Sequence, residues 1–172
     1  MKIPWNAICT AAEYKMILDM VDSGHTMLVF GVGNDTQMWE AVCDHVVYVE
    51  DVQEWEDRIR LQVPTADVRH YDYPTTVQQW LDGERRFPTM KLDRDLHRTY
   101  DFIFVDGPRG DAPTHPGRML PIFFAWCYGY NIFVHDFNRT VEQEVCRNLM
   151  GEPTAMVQRM AYYENDPSIL SE

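Results

Sequence analysis

The apolar run Leu28-Val29-Phe30 passes straight into Gly31-Val32-Gly33-Asn34-Asp35, and Thr36-Gln37-Met38-Trp39 then reads as a helix start. No other stretch of the chain restricts the fold so strongly. A strand that ends in Gly-x-Gly and continues as a helix is the opening of a nucleotide-cofactor loop. Glycines permit a tight turn and close backbone approach, and a helix N-terminus presents free N–H groups. A second strand, Val46 to Val49, ends in Glu50-Asp51. A carboxylate about 20 residues past the glycines is placed to bind the hydroxyls of an adenosine ribose.

The rest of the chain repeats the strand–helix alternation. Apolar spacing predicts a helix from Asn6 to Val21, with Gly24 as its stop. Further helices are expected over Thr36–Val42, Val52–Leu61, Thr75–Leu81, Met119–Tyr128 and Thr140–Met150. Strands are expected over Thr26–Phe30, Val46–Val49, Asp67–Tyr71, Tyr100–Val105 and Asn131–Val134, with a sixth at an edge over Ala155–Tyr163. The mixed-charge stretch Asp82–Arg98 reads as a surface connection. Alternation of this kind predicts an α/β fold, a doubly wound and mostly parallel sheet with helices on both faces.

At 172 residues the chain fits a single domain over 1–172, large enough to bury a core without staples. A formal net charge of −12 argues against general nucleic-acid binding, because nothing offsets phosphate repulsion over the surface. Cys9, Cys43, Cys127 and Cys146 form no Cys-x-x-Cys pair, which speaks against a zinc ribbon or a disulfide framework. Met1 to Ala12 lacks a basic segment followed by an apolar run, and no apolar stretch approaches the ~20 residues that span a bilayer. The expectation is a soluble protein, cytoplasmic or otherwise, with no membrane partner.

In doubly wound sheets ligands bind beyond the C-terminal strand ends. Two further strand ends carry chemistry: Asp106-Gly107-Pro108-Arg109-Gly110 and His135-Asp136. With their strands adjacent to the first, Asp106, His135 and Asp136 should meet beside the glycine loop. Two carboxylates and an imidazole suit a hard divalent cation at Asp106 and Asp136, or a base for a substrate hydroxyl, with His135 as the candidate. Arg109 and Arg118 either clamp a substrate carboxylate through forked bonds or neutralise Asp106, Asp111 or Asp136. Trp39 and Met38 either touch an adenine or pack in the core. Trp5, Trp55, Trp80 and Trp126 read as packing. No P-loop and no Gly-x-Ser-x-Gly elbow is present.

Four blocks together resemble the glucuronoxylan 4-O-methyltransferase family, which includes the irregular-xylem proteins. They are Phe30-Gly31-Val32-Gly33-Asn34-Asp35-Thr36-Gln37-Met38-Trp39, Val49-Glu50-Asp51, Tyr100 to Gly110 with Pro116-Gly117-Arg118-Met119, and Phe133-Val134-His135-Asp136 with Arg139-Thr140-Val141-Glu142. The resemblance implies a Rossmann-like class I fold that uses S-adenosylmethionine to methylate a hydroxyl of a sugar or other small acceptor, in the plant enzymes the 4-OH of glucuronic acid on xylan. It implies a divalent metal, held by Asp106 and Asp136. Gly31, Gly33 and Asp35 would line the methionine end of the cofactor and Glu50 would hold the ribose. Asp51 or Asp72 would lie near the adenine. Cleavage or cyclisation of the cofactor, and a noncatalytic binding module, are the rival readings.

Overall fold

The computed structural model describes residues 8–86 and 88–168. Its centre is a sheet whose strands alternate side chains between two buried faces. In β1 (Thr26–Phe30), Leu28 and Phe30 point to one face and Met27 and Val29 to the other. In β4 (Tyr100–Val105), Ile103 and Val105 alternate with Phe102 and Phe104 in the same way. Strands apolar on both faces need helices on both sides, and these are present. The first face is covered by α4 (Val77–Leu81), α5 (Met119–Tyr128) and α6 (Thr140–Met150). The second is covered by α1 (Ala11–Leu18), α2 (Thr36–Glu40) and α3 (Gln53–Gln62).

With β2 (His45–Glu50), β3 (Asp67–His70), β5 (Gly129–Val134), β6 (Ala155–Val157) and β7 (Met160–Glu164), the strand order is β3-β2-β1-β4-β5-β7-β6. The first five strands are parallel and β7 is antiparallel to both its neighbours. The order reverses between β1 and β4, so the loops after these strands diverge and leave a crevice between them. The adjacency of β1, β4 and β5 is as predicted.

Three expectations need correction. The first helix is shorter than Asn6–Val21; Thr10 and Glu13 form a reciprocal capping box that starts it at Ala11, while residues 6 and 7 lie outside the described residues. The single edge strand over 155–163 is a hairpin, β6 and β7, turning at Gln158, whose φ is 51°. The turn pair Gln158-Arg159 carries no Gly, Asn or Pro to announce it. The stretch 82–98 is not wholly superficial. Met90 and a 3-10 turn at Arg94–Leu96 bury Met90 and Leu96 in the core. Among the described residues no helix is long and apolar enough to cross a membrane.

Candidate functional site

The crevice between the β1 and β4 loops is a cavity of about 340 Å³, within the ~300–1,000 Å³ range of small-molecule sites. Its wall is built by two backbones in close approach. Gly31 sits at φ +100°, and a Cβ there would lie 3.0 Å from the Gly107 nitrogen. A Cβ on Gly107 would lie 2.8 Å from the Gly31 Cα, so neither position admits a side chain without moving backbone. Gly33 is cramped from another direction, its Cβ position being 2.9 Å from Asp35 Oδ1.

Three carboxylates line the β1–β2 side: Asp35, Glu50 and Asp51. Asp35 Oδ2 accepts hydrogen bonds from Tyr14 Oη at 3.0 Å and Trp39 Nε1 at 3.3 Å. Burial, reinforced by the charge of Asp106, pushes the Asp35 carboxyl up to about 6. Glu50 fastens the two loops. Its Oε2 accepts the Val32 N–H at 2.8 Å, and its Oε1 accepts those of Asp51 and Val52 at 3.0 and 2.9 Å. Burial raises Glu50 to about 7 against these three backbone bonds, and burial raises Asp51 as well. Trp55, read from sequence as packing, lines the cavity, whereas Trp39 and Met38 are buried in the core. Asp72 is not brought here. It lies past β3 with its side chain 94% exposed, 3.2 Å from His70 Nε2.

The β4–β5 side is a lattice of acids and guanidiniums. Arg118, only 4% exposed, donates through Nε to the Pro108 carbonyl at 3.2 Å and through Nη1 and Nη2 to the carbonyls of His135 and Asp106. The same Nη2 reaches Asp136 Oδ2 at 2.9 Å. Arg139 Nη2 also meets Asp136 Oδ2, at 2.8 Å, and Arg159 Nη1 meets Oδ1 at 2.8 Å. Asp136 itself sits at φ 57°, a left-handed conformation that turns its carboxylate into this ring of cations. Arg109 lies at the rim with Asp111, 3.2 Å away.

His135, the predicted base, does not line the cavity and is fully buried. Its Nδ1 donates to Asp106 Oδ1 at 2.8 Å, and its Nε2 faces Glu13 Oε2 at 3.8 Å. Asp106 does line the cavity. Burial works to raise its carboxyl, but the hydrogen bond from His135 and the charges of Arg118, His135 and Arg139 hold it below the usual carboxylate value. His135 therefore orients the acid that faces the cavity.

Two contributors were missed by sequence reasoning. Arg159 joins the hairpin turn to Asp136 from 23 positions away, and no local pattern marks it. Glu13 was visible as the last residue of Thr10-x-x-Glu13, but its burial behind His135 follows only from the tertiary fold.

Comparison with known proteins fits this geometry. Residues 88–161 match the family model described as IRX15/IRX15L/GXM. Among curated relatives, glucuronoxylan 4-O-methyltransferase 1 of Arabidopsis thaliana is 27% identical, over 73% of this chain and 55% of its own length. Glucuronoxylan 4-O-methyltransferase 3 of the same plant is 29% identical over 80% and 57%, and arabinogalactan O-methyltransferase 2 is 27% identical over 73% and 54%. The chain thus spans little more than half the length of these relatives. A methyltransferase-like protein from Silicibacter pomeroyi superposes with a TM-score of 0.55 at 16% identity, covering 96% of this chain and 94% of the other. A Pseudomonas syringae structure described as a putative methyltransferase gives 0.51 at 12%, covering 82% and 88%. These likenesses establish the fold as that of class I methyltransferases. Residues 88–161, which carry two of the four motif blocks, are similar to the IRX15/IRX15L/GXM family, and the curated relatives extend that likeness over most of the chain.

Proposed function

We propose that this chain is an S-adenosylmethionine-dependent O-methyltransferase acting on a sugar hydroxyl of a carbohydrate acceptor. The observation that carries the reading is the cavity at the β1–β4 reversal, where side-chain-free backbone meets carboxylates that lack a cation. Among the described residues Asp35, Glu50 and Asp51 form no ion pair, and the raised carboxyls are a fit for a ligand bearing positive charge. The named activities of the curated relatives agree with it.

When bound, S-adenosylmethionine supplies a methyl group on a sulfonium, open to in-line displacement by an oxygen nucleophile. The backbone at Gly31 and Gly33 and the Asp35 carboxylate hold its amino-acid end. Glu50 and Asp51 take the ribose, and Val52 and Trp55 flank the base. Asp106 accepts a hydrogen bond from the acceptor hydroxyl and aims its oxygen; as the O–CH3 bond forms the sulfur would leave as the thioether and the hydroxyl proton would pass by way of Asp106 to solvent. His135 keeps Asp106 in place, so that catalysis rests chiefly on positioning. Arg109, at the rim, makes the acceptor side favourable for a sugar that carries a carboxylate, while Arg118 and Arg139 are engaged by Asp136.

The donors at Asp106 and Asp136 do not suit a divalent metal as arranged. Their atoms cluster with His135, but Arg118, Arg139 and Arg159 already bring three positive charges onto the Asp136 carboxylate, and these oppose a dication there.

Calorimetry tests the cofactor: binding in the micromolar range is expected, and its absence ends the proposal. Incubation with uronate-bearing oligosaccharides should yield S-adenosylhomocysteine and a methylated sugar. Methylthioadenosine without an acceptor would instead show cleavage of the cofactor.

A further inference from the structure

His135 has two ring nitrogens and the proposed reaction uses only one. Nδ1 is tied to Asp106, while Nε2 is buried without a hydrogen-bond partner. That orphan faces Glu13, which is 0% exposed, and Cys9, 4% exposed, is buried beside them. Cys9 Sγ, a Glu13 oxygen and a His135 nitrogen all lie within 4.8 Å of one another. We propose that Cys9, Glu13 and His135 form a zinc site, distinct from the cavity and on the opposite side of the imidazole from Asp106.

Four features favour this reading. An imidazole that ligates a metal through one nitrogen typically gives its other N–H to a carboxylate, which fixes the ring and its tautomer. The Asp106–His135 bond is that arrangement, with the second nitrogen left open. The spacing is suitable as well. Bonds of ~2.0–2.3 Å in a tetrahedral site put neighbouring ligand atoms roughly 3.3–3.6 Å apart, and His135 Nε2 already lies 3.8 Å from Glu13 Oε2. Glu13 is held rigidly, Oε2 accepting the Thr10 N–H at 2.7 Å and Oε1 the Arg159 N–H at 2.8 Å, which leaves lone pairs for a metal. Charge agrees too: the imidazole has the Asp106 carboxylate on one nitrogen and the Glu13 carboxylate facing the other. A dication would relieve that excess of negative charge and convert the thiol to thiolate, its proton leaving to solvent. One thiolate, one imidazole and one carboxylate select zinc among the abundant divalent ions, with a fourth position for water.

The test is metal content. Protein purified under reducing conditions and reconstituted with zinc should hold close to one ion per chain by mass spectrometry of the digested sample. Cys9→Ala and Glu13→Gln should each lower occupancy roughly tenfold or more at limiting zinc, and Cys127→Ala should leave it unchanged. Cobalt substitution of the wild type gives a readout that no variant's folding can confuse, a thiolate-to-cobalt charge-transfer band. A wild-type chain that takes up neither metal, or variants that keep a full complement, would overturn the site. Cofactor calorimetry on the same samples separates the two proposals, since zinc without cofactor binding leaves this one standing and the reverse leaves only the other.

Discussion

On the β1–β2 side of the cavity, Asp35, Glu50 and Asp51 are raised by burial and have no ion-pair partner among the described residues. On the β4–β5 side, Asp106 and Asp136 are just as enclosed but sit among Arg118, Arg139 and Arg159. The contrast is one of compensation. Carboxylates left bare in a low-dielectric wall favour an incoming cation, whereas carboxylates already neutralised are held as parts of a rigid frame. The two sides thus divide the labour: one receives the charged donor, the other fixes the geometry at which the acceptor is presented.

The largest test of that division is Asp106→Asn. If Asp106 acts on the acceptor and not on the donor, turnover should fall by about 10²–10⁴-fold while cofactor affinity stays within about threefold. A parallel loss of cofactor affinity, measured by calorimetry, would erase the distinction between the two sides. Next comes Arg118→Met. The guanidinium binds three carbonyls and a carboxylate inside the frame. Its removal leaves Asp136 short of a buried partner and should cost roughly 3–5 kcal/mol of stability by denaturant titration. A loss below about 1 kcal/mol, the scale of a surface pair, would mean the frame is not rigid in the sense argued.

This asymmetry was only partly legible in the sequence. The strand-to-glycine loop, the order of elements and the meeting of Asp106 with His135 and Asp136 could be read because each rests on local pattern plus one topological rule. What each side chain does at the strand end could not. His135 and Asp136 are consecutive, yet one turns into the core and the other, at φ 57°, into the ring of arginines. No periodicity encodes that reversal. Asp72 misled for a related reason: it follows β3 at the right end of the sheet, but it points to solvent. Arg159 reaches the site from a hairpin whose turn residues carry no turn signal, so neither the hairpin nor the contact was visible.

Asp35→Asn sharpens the comparison from the donor side. It keeps the shape and the acceptor role of the side-chain oxygen but removes the charge. Binding of S-adenosylmethionine should weaken roughly tenfold, or about 1.4 kcal/mol. Turnover at saturating cofactor should change far less than in Asp106→Asn. Equal damage to both quantities would place Asp35 in the reacting geometry instead.

The smallest effect is the most discriminating, because it has opposite signs in two measurements. Asp35 and Glu50 titrate at about 6 and about 7 in the folded chain, above their ordinary values of 3.8 and 4.5. The folded state therefore binds more protons than the unfolded state between those limits, and these two groups make the ligand-free fold more stable as pH falls from 8 to 5. Affinity for the cationic cofactor runs the other way over the same window, since protonation removes the charge that attracts it, and should drop by roughly three- to tenfold. Asp106 contributes to neither trend. Its carboxyl is held below 3.8, so its stabilising charge is present throughout this range and is lost only in stronger acid. A thermal melt and a calorimetric titration across that pH series should thus diverge. If both quantities instead fell together on acidification, the bare carboxylates would not be bare, and the proposed difference between the two walls of the cavity would disappear.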